Sequence, residues 1–247
     1  MARAHRIKTP GLIRHVMSRG NGRMAIFLDD SDYRRFLSVF GDILEEFNIR
    51  CWNYCLMSNH YHATLQPSLP NLSEAIRRLN AMYAQWWNRR HGRVGHVFQG
   101  RFKDQIVGYQ EYLLTLSRYV VLNPVRASIV TKPEQWPWSS YRATAGLAVA
   151  PSFLSTRSTL ALFGTGEDVV LQERFATSVS EQADDPGLVD RLRSNEQIVG
   201  PRIFKEAVRK GLLCPFPTEP DASAYSPSLP PEAAGDVKAG DEPPTEE

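Results

Sequence analysis

Two histidines separated by a single residue, His60 and His62, are the side chains in this sequence with the clearest capacity for chemistry. They lie in an apolar, strand-like run, residues 57–64, which reads MSNHYHAT. Side chains at i and i+2 of a strand point to the same face, so two imidazoles placed in this way can share a divalent ion that polarises a phosphate or a carbonyl. The alternative is that they are ordinary polar residues on the wet face of a sheet, because a His-x-His pair also occurs by chance.

Length and composition limit the class of protein to which this histidine pair can belong. The chain has 247 residues, 42% of them hydrophobic, which is enough for one good-sized domain and an appendage. No apolar run has the length of a membrane span, and the N-terminus lacks the apolar core of a signal peptide, so we expect a cytoplasmic protein without a membrane partner. The cysteines, Cys51, Cys55 and Cys214, are odd in number and scattered, which fits a reducing compartment.

The charge of the chain is divided unevenly. Residues 1–150 contain 20 lysines and arginines against 10 acidic residues, whereas residues 151–247 contain 9 against 17. Most of the positive charge is arginine, which suits bidentate contact with phosphate. The first part is therefore a basic domain that could bind a nucleic acid, the alternative being an ordinary solvated basic surface. From residue 215 onward, repeated Pro, Ala, Ser and acidic residues predict a disordered acidic tail.

The elements that must position the histidines follow from hydrophobic periodicity. Alternation predicts a strand at 12–19, apolar residues at helical spacing predict a helix from 30 to 47, and two β-rich runs at 49–56 and 60–66 predict a hairpin. A second helix from 71 to 90 and a strand at 104–107 complete the order βαββαβ. This order predicts an α+β fold, a ferredoxin-like or RRM-like antiparallel sheet with both helices on one face and the other face open to carry a site.

A further helix follows the sheet, and the character of the sequence then changes. The helix is predicted to end near Pro124, and it contains Tyr112 and Tyr119, which lie seven residues apart and so near one face. A buried aromatic ring with its hydroxyl at the surface is the ordinary reading of either tyrosine. Residues 152–213 contain helical pieces, among them 195–200 leading into 204–210. We therefore divide the chain into a first domain at 1–145, a helical accessory region at 146–214 that could bind a nucleic acid, and the tail at 215–247.

Motifs in a fixed order make the sequence resemble a known family. They are Arg19-Gly20-Asn21, the Met-Ser-Asn-His-Tyr-His run at 57–62, QGRFK at 99–103, RYVVLNPVRA at 118–127 and WPWSSY at 136–141. Together they resemble the IS200-type single-tyrosine transposases of the HUH type, and within those the REP-associated tyrosine transposases. The resemblance covers roughly residues 8–145. No single motif carries it, but the ordered set is specific.

The resemblance implies a reaction and the residues that perform it. In such enzymes the histidine pair, here His60 and His62, holds Mg²⁺ or Mn²⁺ against the scissile phosphate of single-stranded DNA, with hairpin DNA as the substrate. A helix tyrosine, which maps onto Tyr119 and not Tyr112, attacks the phosphorus, forms a 5′-phosphotyrosine and releases a 3′-hydroxyl. The third metal ligand maps onto Asn123. Residues at i and i+4 share a helix face, so the nucleophile and this ligand can reach the metal together.

Further expectations concern the binding of DNA and the state of assembly. Arg14, Arg19, Arg101 and Lys103 are the predicted contacts to the DNA backbone, and a homodimer is left open because dimers are common in the wider family. One departure from the family is Tyr61, an aromatic residue between the histidines where aliphatic residues are common.

Two other classes of protein compete with this interpretation. A structural zinc site could be drawn from Cys51, Cys55, His60 and His62, although Cys51 would lie far from the turn of the hairpin, and zinc ligands must meet at one centre. A non-catalytic protein that binds single-stranded nucleic acid could instead use an RRM-like sheet, with Trp52, Tyr54 and Tyr61 as exposed stacking platforms. Such a protein needs neither Tyr119 nor a metal.

Overall fold

The computed structural model describes residues 6–108, 111–181, 186–194 and 196–212, without the side chain of Glu111. The predicted tail at 215–247 lies outside the described residues. No helix in those ranges is long and apolar enough to cross a membrane.

A five-stranded sheet with helices on both faces organises the fold, which is mixed α+β as expected. The strands are β1 (Arg14–Arg19), β2 (Ile49–Leu56), β3 (His60–Pro67), β4 (Lys103–Val107) and β5 (Ile198–Val199). Their spatial order is β2-β3-β1-β4-β5. The first four pair antiparallel, and β5 joins β4 in parallel.

Two long helices cover one face of this sheet. They are α1 (Asp30–Glu46), between β1 and β2, and α2 (Leu72–Arg90), between β3 and β4. The carboxylate of Asp29 caps α1 by accepting hydrogen bonds from the backbone N–H of Ser31 and Asp32, at 2.8 and 3.3 Å. The main hydrophobic core lies between these helices and the sheet. The predicted succession of strand, helix, hairpin, helix and strand is therefore present.

The opposite face is not open, which corrects the prediction. Helix α3 (Glu111–Val121) packs across it and buries a second core that includes Trp52 and Leu116. The three aromatic residues expected to stack on nucleic acid are buried: Trp52 and Tyr61 are 0% exposed and Tyr54 is 4% exposed. The prediction of an exposed aromatic platform is wrong, because helices cover both faces of the sheet.

In the described residues, eight further helical segments follow α3. They are α4 (Asn123–Arg126), α5 (Tyr141–Thr144), α6 (Thr156–Leu160), α7 (Asp168–Glu181), α8 (Pro186–Arg193), α9 (Arg202–Lys210) and two 3₁₀ turns at Pro133–Gln135 and Ala161–Phe163. Helix α3 ends at Val121, near Pro124 as expected, and Pro124 itself lies in the first turn of α4, where a proline is tolerated.

The segment after α8 rejoins the sheet. The backbone N–H of Ile106 donates to the carbonyl of Gln197 at 2.9 Å, and that of Gly108 donates to Val199 at 2.7 Å. Residues 195–200, expected to be helical, thus include a strand at Ile198–Val199. These β-branched residues gain backbone partners along β4, and Gly200-Pro201 separates them from α9. The accessory region therefore contributes one strand to the sheet of the first domain.

Candidate active site

The histidine pair begins β3, at the end of the sheet nearest the turn of the β2–β3 hairpin. The ring centroids of His60 and His62 lie 5.0 Å apart, with their planes at 76°. In the register of the sheet, His60 is opposite Arg19 and His62 is opposite Met17. As predicted for i and i+2 on a strand, both side chains line one pocket.

The tautomer of His60 follows from its neighbour. Asn59 donates its amide N–H to the carbonyl of Arg23 at 3.1 Å, so its Oδ1 is the atom that faces Nδ1 of His60 at 2.6 Å. An amide oxygen only accepts hydrogen bonds, so Nδ1 of His60 carries the proton and Nε2 keeps its lone pair. This is the arrangement of a metal-binding histidine, whose second nitrogen donates to an oxygen.

Both histidines are in the neutral form that can bind a metal near neutral pH. Burial, and to a lesser extent the charge of Arg19, lower the pKa of His60 to about 4. Burial also lowers the pKa of His62 well below its usual value, and His15, His60 and Arg19 add to this effect. The pair therefore does not have to lose protons before a cation binds.

The predicted nucleophile, Tyr119 on α3, contacts the ring of His62. Its ring centroid lies 5.8 Å from that of His62, in an edge-to-face arrangement at 85°, and the residue is 6% exposed. The guanidinium of Arg126 lies 5.1 Å from the centroid of the tyrosine ring and donates to the backbone carbonyl of Tyr119 at 3.1 Å. The other tyrosines considered do not compete: Tyr61 is fully buried on the α1–α2 face, and Tyr112 does not line the pocket.

Asn123 continues the helical path one turn beyond Tyr119. Its Nδ2 donates to the carbonyls of Tyr119 and Val120, at 2.9 and 3.3 Å. These bonds direct the amide nitrogen toward the helix, which leaves Oδ1 as the atom that can act as a ligand in the pocket. The helix thus places Tyr119 and Asn123 on the same wall, as the spacing of four residues predicts.

The pocket around these residues is open, basic and about 580 Å³ in volume. The predicted DNA contacts Arg19, Arg101 and Lys103 line it, and two arginines that the sequence analysis did not single out, Arg23 and Arg193, line it as well. Within the ranges that the structure describes, no acidic side chain lines this pocket. Such a concentration of cations fits a polyanionic ligand.

The fold brings two of the motifs noted in the sequence together at the rim of the pocket. The backbone N–H of Gln99 donates to the carbonyl of Arg19 at 2.9 Å, and that of Asn21 donates to Val97 at 2.8 Å. The N–H of Gly20 donates to Asn59 at 2.8 Å. These bonds fix the loops that carry the rim arginines relative to the histidine turn.

Arg14 is not part of this pocket, which corrects its assignment as a DNA contact. The residue is 3% exposed, and its guanidinium donates to Oδ2 of Asp104 at 2.7 Å. Arg14 and Arg19 are an odd number of positions apart on β1, so their side chains leave opposite faces of the sheet. Strand periodicity alone could have separated the two.

His15 is the residue whose role the sequence analysis missed. Its side chain is 2% exposed. Its Nε2 lies 2.8 Å from Nδ1 of His62, and the planes of the two rings are nearly parallel, at 16°, with centroids 5.1 Å apart. On the other side, its Nδ1 lies 3.3 Å from Oε1 of Gln105. The registers of β1 against β3 and of β1 against β4 bring these residues together, and the sequence does not specify those registers.

The alternative zinc site is not formed. A β-bulge between Cys51 and Asn53 inverts the alternation of β2, so Cys51 faces the α1–α2 core and Cys55 faces α3. Burial raises the pKa of both thiols, so neither is the thiolate that zinc requires. Across the described part of the chain, no three His, Cys, Asp or Glu side chains converge on a metal position.

Comparison with known proteins gives one family match. The family model described as Transposase IS200 like matches residues 8–123. The match begins before β1 and ends at Asn123, so it contains the histidine pair, Tyr119 and the amide beside it. Residues 8–123, a little under half of the chain, therefore match the IS200-like transposase family, which confirms the resemblance found in the motifs.

One solved structure shares this fold and bears a more particular description, "Structure of the REP associates tyrosine transposase bound to a REP hairpin". The TM-score is 0.52 at 15% sequence identity, and the alignment covers 63% of this chain and 92% of that one. At this identity the similarity concerns the fold. No curated protein sequence matches the chain.

Proposed function

We propose that this protein is a metal-dependent enzyme that nicks single-stranded DNA and transfers the cut strand through a 5′-phosphotyrosine intermediate. The observation that carries the proposal is the position of Tyr119 beside His62, in the wall of a pocket rimmed by arginine and lysine. The family match of residues 8–123 supports the class of reaction. The fold neighbour is described as bound to a REP hairpin, which supports hairpin-containing DNA as the substrate.

The donor set fits a divalent cation. His60 and His62 are neutral imidazoles whose Nδ1 atoms contact Asn59 and His15, so Nε2 of each is the nitrogen that would bind, and Asn123 would add its amide oxygen. Three protein ligands leave coordination positions for a phosphate and water. Mg²⁺ favours oxygen ligands, whereas two nitrogen donors suit Mn²⁺ at least as well. When bound, such an ion stabilises negative charge on the phosphate as a bond to it is broken.

The remaining steps of the proposed reaction involve Tyr119, the DNA and solvent. Tyr119 Oη forms a bond to the phosphorus of the scissile phosphate, and the bond from phosphorus to the 3′-oxygen breaks. The phenol proton passes to solvent, and the departing oxygen takes up a proton to become a 3′-hydroxyl. The product is still a phosphodiester, so a DNA 3′-hydroxyl can attack it, join the strands and free the tyrosine.

The basic rim would hold the strand during this reaction. Arg19, Arg23, Arg101, Lys103 and Arg193 approach the pocket from three separate segments of the chain. Charge-assisted contacts to phosphates flanking the cut would fix the register of the strand over Tyr119 without reading its sequence.

A non-catalytic binder of single strands is the second candidate, and the structure gives it little support. Its stacking platform would be Trp52, Tyr54 and Tyr61, all buried.

One chain places the histidines and Tyr119 together, so the proposed chemistry does not depend on a second copy. The homodimer expected from the wider family can be tested separately by light scattering.

The decisive experiment incubates the protein and a labelled single-stranded oligonucleotide containing a hairpin with Mn²⁺ or Mg²⁺, and then looks for a covalent adduct on a denaturing gel. Tyr119→Phe should abolish the adduct. Tyr112→Phe, which alters a tyrosine of the same helix outside the pocket, should form it at the wild-type level. An adduct of equal yield in Tyr119→Phe would overturn the assignment of the nucleophile.

A further inference from the structure

We propose that His15 and Gln105 are positioning residues that set the tautomer of His62 and so decide which of its nitrogens can bind a metal. The inference rests on the proposed metal site at His60 and His62. It adds two residues that touch neither the DNA nor the metal, and it links the metal site to the segment between α8 and β5.

The orientation of Gln105 is the first step. Its Nε2 lies 3.2, 3.3 and 3.0 Å from the backbone carbonyl oxygens of Arg191, Ser194 and Glu196. Carbonyl oxygens only accept hydrogen bonds, so the amide nitrogen must face them. The opposite orientation would place the amide oxygen against three acceptors at a residue that is 6% exposed. Oε1 of Gln105 is therefore the atom that faces His15.

The second step determines which ring nitrogen of His15 carries hydrogen. Because Oε1 of Gln105 can only accept, Nδ1 of His15 is the nitrogen that carries the proton. Among the residues that the structure describes, His15 makes ring and hydrogen-bond contacts with Gln105, His62 and Tyr119, none of which is a carboxylate. A buried ring without an anionic partner stays neutral, so Nε2 of His15 keeps a lone pair.

The third step reaches the ligand. Nε2 of His15 accepts the hydrogen bond across the 2.8 Å contact with His62, so Nδ1 of His62 donates and its Nε2 is unprotonated. His60 reaches the same state through Asn59. Two different hydrogen-bond acceptors, Asn59 and His15, thus leave Nε2 of His60 and His62 without hydrogen, which is what a shared cation requires.

The carbonyls that hold Gln105 belong to the last turn of α8 and to the loop that follows it, and ion pairs anchor this segment. Glu196 forms an ion pair with Arg191 at 3.1 Å and another with Lys205 of α9. The C-terminal region therefore supports the metal ligand through one glutamine, although none of its residues needs to enter the coordination sphere.

The test reads the tautomer directly. In the full-length, metal-free protein labelled with ¹⁵N-histidine, long-range proton–nitrogen correlation spectra report which ring nitrogen of His62 carries hydrogen. The wild type should show only Nδ1–H. Gln105→Met and His15→Phe should show a mixture of tautomers or the Nε2–H form. His15→Gln, whose amide oxygen can replace the accepting nitrogen, should restore Nδ1–H.

A matched control separates this role from general stability. Gln66 is equally buried on β3, where it accepts from Trp52 and donates to the carbonyl of Gly11, away from the histidines. Gln66→Met should lower the melting temperature as Gln105→Met does, yet leave the His62 spectrum unchanged. Mn²⁺ affinity, measured by electron paramagnetic resonance without DNA, should fall about 10- to 100-fold in Gln105→Met and stay within threefold of wild type in Gln66→Met.

These readouts distinguish the failure of the two proposals. An Nε2–H tautomer of His62 in the wild type, or an unchanged spectrum in folded Gln105→Met, would overturn the positioning role whatever the metal does. A wild type with the Nδ1–H tautomer that binds no Mn²⁺ would support the hydrogen-bond relay and overturn the proposed metal site.

Discussion

The ring of Tyr119 meets the ring of His62 edge to face, with 5.8 Å between centroids, although the two residues lie 57 positions apart in the sequence. One belongs to a helix and the other to the strand beneath it. A tyrosine proposed as the nucleophile and a histidine proposed as a metal ligand, held in this way, can act on the same phosphate. The predictions that follow depend on this relationship and on the structure that maintains it.

Loss of either histidine should separate cleavage from binding. His60→Ala should reduce metal-dependent cleavage of hairpin DNA at least 100-fold, because it removes one of the three proposed ligands, while DNA affinity changes less than about threefold, since phosphate contacts supply much of the affinity. Gel-based cleavage and fluorescence anisotropy measure the two effects. His96→Ala, at an exposed histidine outside the pocket, is the control.

Chelation should have the same effect on the unmodified protein. Adding EDTA should stop adduct formation, and restoring Mn²⁺ in excess should recover it, with binding to DNA largely retained throughout. Adduct formation that continues in chelator would argue against a metal role for the histidine pair.

The rim arginines should govern the dependence of binding on salt. Arg101→Ala removes one proposed phosphate contact, so the slope of log affinity against log salt should become shallower by about 0.7–1. Arg142→Ala changes an exposed arginine that does not line the pocket, and it should leave the slope unchanged. Equal slopes for the two variants would remove Arg101 from the DNA interface.

Buried histidines should make the stability of the protein fall in mild acid. Burial lowers the pKa of His15 to about 4, so between the ordinary histidine value of 6.5 and about 4 the unfolded state binds more protons than the folded one. The contribution of His15 to the free energy of unfolding is therefore fully present above pH 6.5. It decreases as the pH drops toward 4, by up to about 3 kcal/mol. Urea unfolding at several pH values measures the slope, which His15→Phe should reduce and His96→Gln should not.

Gly20 should tolerate no side chain. Its φ of −59° is ordinary, but a Cβ would lie 2.2 Å from the carbonyl oxygen of Met24 and 2.9 Å from Cγ2 of Ile26. Gly20→Ala should lower the free energy of unfolding by about 1–3 kcal/mol, since the clash is with backbone. Gly22 has φ of 58° with open space around it, so Gly22→Asn, a residue that accepts this conformation, is the control.

The sequence predicted the parts of the fold that depend on local pattern. Residues 30–47 and 71–90 have apolar side chains at helical spacing, and the structure places helices at Asp30–Glu46 and Leu72–Arg90. The hairpin of β2 and β3 was predicted from the two β-rich runs at 49–56 and 60–66. Ile198 and Val199 were assigned to a helical segment because the partner that makes them a strand, β4, lies some 90 residues earlier in the chain.

The candidate site was predictable where it depends on spacing and not where it depends on strand register. The spacings of His60 to His62 and of Tyr119 to Asn123 place each pair on one face. The contact of His15 with His62 crosses two strands, and the bulge that separates Cys51 from Cys55 has no signal in the residue types. Register and bulges are settled by packing over the whole sheet, so a single sequence does not reveal them.

The short strand β5 has a consequence for self-association. It occupies the outer edge of β4, while at the other edge β2 exchanges backbone hydrogen bonds with Trp138, Ser140 and Ser155. Within the described residues, these segments leave β2 and β4 only short stretches of free backbone for another chain. A homodimer formed by pairing β2 or β4 of two copies would have to displace these segments, which favours a homodimer built from side chains on the helical surfaces.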